Sequence, residues 1–86
     1  MKPKPIEKEH QELMSAIGEK IKEYRKAKKM SYIKMAKEVG ISRNAYNLIE
    51  NGNVYFNISS LLEILKFHNI SLVNFLNDLD INKKNL

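Results

Sequence analysis

The chain of 86 residues contains no cysteine, so neither a disulfide framework nor a thiolate metal site can form. No apolar run approaches the ~20 residues of a membrane-spanning helix, and the opening "MKPKPIEKEH" lacks the hydrophobic stretch of a signal peptide. The expectation is a cytoplasmic protein with no membrane partner. The three glycines are isolated from one another, which excludes a glycine-rich phosphate loop. His10 and His68 have no cysteine, second histidine or paired carboxylate at metal-ligand spacing. His68 reads instead as a helix-terminal or core-edge residue. No Ser and His pair forms a triad motif, and a chain of this length has little room for a substrate cleft. No enzyme activity, cofactor or metal is therefore expected.

What is present is an uneven charge distribution. Residues 1–43 hold twelve Lys/Arg against six Asp/Glu, and residues 44–86 hold three against four. One basic half and a formal net charge of +5 suit a polyanion such as nucleic acid. A solvated lysine-rich surface is the bland counterpart of that reading. The length fits one domain, with roughly 60–65% of the unfolded surface buried on folding.

Apolar periodicity divides the chain into five helices. Ile6, His10, Leu13, Ile17, Ile21 and Tyr24 follow one another by threes and fours, which predicts a first helix ending near Lys29. The pattern allows either a continuous helix from Ile6 or a break near Gly18. Ser31 caps a short second helix, "SYIKMAKEVG", stopped at Gly40, with Met35, Ala36 and Val39 facing inward. Ser42 caps a third, ending at Asn51-Gly52 and burying Tyr46 and Ile49. A fourth is expected over 58–68 on Ile58, Leu61, Leu62 and Leu65, with Asn69 as a left-handed stop. Ser71 caps a fifth, with Leu72, Phe75, Leu76 and Leu79 as its apolar positions. Nothing reads as a strand, so the fold class is all-α, a compact five-helix bundle. Residues 1–16 read as an arm and helical extension, 17–79 as the domain, and 80–86 as a loose tail.

Two short capped helices, a small Ala36 in the first and a glycine turn between them form a helix-turn-helix pattern. From about Ile17 to Leu76 the chain resembles the Cro/phage-repressor (XRE-like) helix-turn-helix family. The matching stretches are "IKEYRKAKKMS", "MAKEVGISRNAYNLIENG" and "ISSLLEILKFHNIS". The resemblance implies a DNA-binding transcriptional regulator with helix 42–51 as the recognition helix in the major groove of double-stranded DNA. Arg43, Asn44, Asn47 and Leu48 are then the base-contacting positions. An arginine can donate twice to guanine, an asparagine can pair with adenine, and Ala45 or Leu48 can meet a thymine methyl. Phosphate contacts are expected from Ser31 and Tyr32 at the start of the second helix, from Lys28 and Lys29 before it, from Ser42, and from Asn51, Asn53 and Tyr55 beyond the recognition helix. Arg25 and Glu50 match a structural ion pair of the family.

Three departures stand out. Tyr32 replaces a usual glutamine, Leu48 a usual polar residue, and no Lys or Arg occurs between Asn44 and Leu65, which predicts a modest salt dependence. The expected function is that of a repressor acting as a homodimer on a palindromic operator, paired through Leu72, Val73, Phe75 and Leu79 or through the extension at Ile6–Leu13. Two alternatives are an antitoxin-type autoregulator with a toxin as protein partner, and a protein-interaction module that keeps the fold without binding DNA.

Overall fold

The computed structural model describes residues 6–79, so the arm at 1–5 and the tail at 80–86 lie outside the described residues. Five helices follow in order: α1 Lys8–Ala27, α2 Tyr32–Val39, α3 Arg43–Asn51, α4 Ile58–Phe67 and α5 Leu72–Asn77. Among the described residues there is no strand, only a single bridge residue at Val54. Local chemistry explains most of the boundaries. The Ser31, Ser42 and Ser71 hydroxyls accept from the backbone N–H of Lys34, Ala45 and Asn74, and the Asn57 side chain accepts from Ser59. Each satisfies a donor that the first helical turn leaves open. Gly40 and Gly52 stop α2 and α3 in the left-handed region at φ 95° and 65°. Asn69 takes the same conformation after α4, at φ 58°.

α1 is continuous through Gly18, and the reason lies in packing. A Cβ on Gly18 would stand 2.5 Å from the Glu50 carbonyl oxygen and 2.6 Å from that of Ile49. Gly52 also meets α1, less closely, since its Cβ would lie 3.0 Å from the Met14 carbonyl oxygen and from the Ser15 Cα. The C-terminal end of α3 thus rests directly on the α1 backbone. This crossing rotates α1, so that Met14, Ile17, Gly18 and Ile21 face inward. His10 and Leu13, expected on the inner stripe, are exposed instead.

The core gathers Ile17 and Ile21 of α1, Met35 and Ala36 of α2, Tyr46 and Ile49 of α3, Leu61, Ile64 and Leu65 of α4, and Phe75 with Leu79 at the base. α4 is apolar on more than one face, and the stripe turned inward runs through Leu61, Ile64 and Leu65. Ile58 and Leu62, expected inside, are 55% and 44% exposed. α5 spans only six residues, and its one inward position closes the bundle. Phe75 and Leu79, expected to help pair two subunits, are therefore spent inside their own chain. Val73 is exposed, Leu72 is half-buried, and Leu76 joins Val73 on the surface.

His68 follows α4 as its C-cap, as expected of a helix-terminal residue. Its ring contacts Tyr24 and Phe67, both at 5.2 Å between centroids, and its buried Nε2 has no hydrogen-bond partner among the described residues. Burial holds its pKa below the ordinary 6.5, with Lys28 adding a smaller push in the same direction. A histidine whose folded pKa is depressed contributes stability above its unfolded pKa, and that contribution is lost as pH falls. The melting temperature should decline as pH is lowered from 7 through 6.5 toward 5, and His68→Phe should flatten that decline. An equally steep decline in the variant would rule out His68 as the source.

Candidate nucleic-acid interface

The two short helices meet at a tight turn. The Ala36 carbonyl accepts from both Gly40 and Ile41, at 2.9 and 3.1 Å. Ala36 is itself buried, because a larger side chain would hold the helices apart. Ser42 then restarts the chain as α3, whose first turn carries Arg43 and Asn44. Both side chains are exposed, and neither makes a hydrogen bond or ion pair with another described residue. Asn47 and Leu48 are half-buried one turn further on. Leu48 is less open than the sequence suggests, because it borders a cleft of about 230 Å³ between α3 and the chain leading into α4. Tyr46 and Ile49 fill the opposite face of α3 and are buried.

The far end of α3 is clamped. Arg25 Nε donates to Glu50 Oε2 at 2.7 Å and its second amine to Oε1 at 3.1 Å, while its third nitrogen donates to the Met30 carbonyl at 2.8 Å. One guanidinium therefore joins α1, the α1–α2 turn and α3. Glu50 is buried and Arg25 nearly so. The hydrogen bond that Arg25 donates to the Glu50 carboxylate raises the arginine pKa further, outweighing the cost of its burial. The Tyr46 hydroxyl is buried beside this pair with no hydrogen-bond partner of good geometry among the described residues, and burial raises its pKa far above 10, with the Glu50 carboxylate adding to the rise.

The other sequence-selected positions are spread around this frame. The Ser31 and Ser42 hydroxyls cap their helices and remain at the surface, and Tyr32 is half-buried against the core. Lys29 is exposed, at φ 57°, and the Lys28 ammonium stands 5.7 Å from the Phe67 ring centroid. Asn51 and Asn53 are exposed. Tyr55 is turned toward α1: its hydroxyl lies 2.7 Å from His10 Nδ1 and accepts from the Glu7 N–H at 3.3 Å. This link was invisible in the sequence, since 45 residues separate the two rings. Glu7 and Glu9 also approach His10, with ligand-type atoms within 4.8 Å of one another, although all three side chains are exposed. The sequence likewise carried no signal for the Met30 carbonyl as third acceptor of Arg25, or for Phe56 in the wall of the cleft beside Leu48.

No helix of the described residues is long and apolar enough to cross a membrane. Among curated proteins no sequence matches this one. Among solved structures, a crystal structure of a point mutant of the restriction-modification controller protein C.Esp1396I is similar, with 29% identity and a TM-score of 0.63 over 76% of this chain and 87% of that one. The helix-turn-helix family model matches residues 21–75, well over half of the chain and spanning every helix from the end of α1 into α5. The capped α2 and α3, the buried Ala36 and the glycine turn are the structural form of that match, and the chain belongs to the helix-turn-helix family of DNA-binding transcription regulators.

Proposed function

We propose that this protein is a repressor that binds a palindromic operator as a homodimer, with the N-terminal turns of α3 in the major groove. The observation that carries the reading is the free, exposed pair Arg43 and Asn44 at the start of a short helix whose other end is clamped. Both are planar, multidentate groups of the kind that read guanine and adenine edges. Asn47 and Leu48 extend the same reading face. Phosphate contacts come from the α2 start at Ser31 and Tyr32, from Lys28 and Lys29, and from Ser42, Asn51 and Asn53. Tyr55 has its hydroxyl engaged with α1 and serves first to hold the loop after α3.

One recognition helix spans only a few base pairs, so selection of a genomic site calls for two. Two-fold pairing sets them about 34 Å apart, one turn of DNA. Val73 and Leu76 of α5, and Ile58 and Leu62 of α4, which contacts α5, supply exposed apolar surface for that pairing. The likeness to a restriction-modification controller protein supports a regulatory role.

The test is selection from a randomised duplex library, followed by anisotropy titration of the selected DNA. Two inverted half-sites one turn apart are expected, and a single unrepeated half-site would overturn the dimer. Each bidentate pair is worth about 1–3 kcal/mol, so Arg43→Ala/Asn44→Ala should weaken the selected site by roughly 30-fold or more. The double variant should keep its melting temperature and its weak affinity for scrambled DNA. Unchanged preference in that variant would remove α3 from sequence reading.

A further inference from the structure

The first turns of α1 precede the family match, which begins at Ile21, and they carry contacts that sequence reading by α3 leaves unused. α1 begins at Glu7 without a side-chain cap, whereas α2 to α5 each have one. The Glu7 N–H goes instead to the Tyr55 hydroxyl at 3.3 Å, and the same hydroxyl lies 2.7 Å from His10 Nδ1. A hydroxyl that accepts from Glu7 keeps its own proton for His10, whose Nδ1 accepts it when unprotonated. The two rings meet edge-on, 5.9 Å apart between centroids. Elsewhere the loop is held at its ends, by Gly52 against the α1 backbone and by Asn57 as the cap of α4. Exposed Asn53 lies between them. Tyr55 and Phe56 also pack on the core, but apolar packing is non-directional and does not fix where the loop stands along α1. A hydrogen bond does.

We propose that His10 is a positioning residue for DNA binding, which acts through the Tyr55 hydroxyl to hold the loop after α3 where Asn51 and Asn53 meet phosphates. The inference rests on the operator-binding role of α3 proposed above. His10 itself touches no DNA. Phosphate contacts fix register and strength without carrying sequence information, so the brace acts on every duplex alike. A loop free to shift along α1 must be ordered again at each binding event, and that cost is subtracted from the affinity.

The test is anisotropy titration of the selected duplex and of a scrambled one, across a salt series. Tyr55→Phe keeps the ring and removes the hydroxyl, and His10→Ala removes the acceptor while favouring the helix. Each should weaken binding to both duplexes equally, by about fivefold per half-site, with the fold retained by circular dichroism. The two changes combined should lose no more than either alone, because one link is broken once. His10→Asn should restore most of the affinity, since its amide oxygen stands near the place of Nδ1. The slope against salt should not change, because no lysine or arginine contact is lost. Weakening in Tyr55→Phe with full affinity in His10→Ala would mean that the hydroxyl itself meets phosphate, and it overturns the inference. Additive losses overturn it too, as does an alanine effect that asparagine fails to restore. Full affinity in both single variants, beside an intact sequence preference, removes the brace and leaves the role of α3 standing. A wild type without any sequence preference would defeat both readings together.

Discussion

Arg25→Met should destabilise the protein by about 3–5 kcal/mol, the scale of a buried charge left without its partner. Glu50 lies almost wholly inside, and the guanidinium is its hydrogen-bond partner through both carboxylate oxygens. The Met30 carbonyl loses its donor in the same substitution, which loosens the turn between α1 and α2. For a domain of this size such a loss lowers the melting temperature by roughly 15 °C or more. Arg25→Met/Glu50→Leu removes both charges and should recover most of the loss, because an apolar pair of similar volume replaces a buried ion pair at little net cost. The two single variants and the double variant form a cycle, read by urea denaturation. A double variant as unstable as the sum of the singles would show that the pair acts separately rather than as one clamp.

Gly18→Ala should also destabilise strongly, against the direction that helix propensity predicts. Alanine in a helix interior is favoured over glycine by about 1 kcal/mol. At this position the added carbon meets two backbone carbonyl oxygens, at 2.5 and 2.6 Å. Backbone has no rotamer with which to yield, so α3 must shift away from α1. Overpacking of this kind costs typically 1–3 kcal/mol and at times more. With contacts this short the upper end applies, for a net loss of about 2–3 kcal/mol and a fall in melting temperature of roughly 10–20 °C. Gly18→Val should be worse, since it adds bulk and a β-branch. A melting temperature equal to or above wild type in Gly18→Ala would mean that α3 does not press on α1 there.

These two predictions mark the border of what the sequence could say. Helix starts and stops were legible because their chemistry is local: a serine accepts from an N–H three residues on, and a glycine takes a left-handed turn, whatever surrounds them. The helix-turn-helix at Ser31–Gly52 was read from such signals, and its inward Met35, Ala36, Tyr46 and Ile49 from the apolar pattern, whereas the outward position of Arg43 and Asn44 followed from the family resemblance. The pairing of Arg25 with Glu50 came from the family resemblance. Which side of α4 faces inward was not legible, because leucines and isoleucines occur on both sides of it and only contact with the other helices selects between them. The role of Gly18 was hidden for the same reason: a glycine that breaks a helix and one that admits a neighbour look alike in one dimension. The Tyr55–His10 link likewise depends on how the loop after α3 folds back across α1.

The clamp at the far end of α3 bears on how readily such a protein can change its target. Gly18, Arg25, Glu50 and Gly52 hold the helix, whereas Arg43 and Asn44 face outward, and no residue belongs to both sets. Substitutions in the outward set leave the anchor untouched, so their effects on affinity and on folding are separable. On the proposed reading, new operator preferences can accumulate at positions 43 and 44 without drawing on the margin of stability. Asn47 and Leu48 are half-buried, Leu48 at the edge of the cleft, so a substitution at either also disturbs the scaffold.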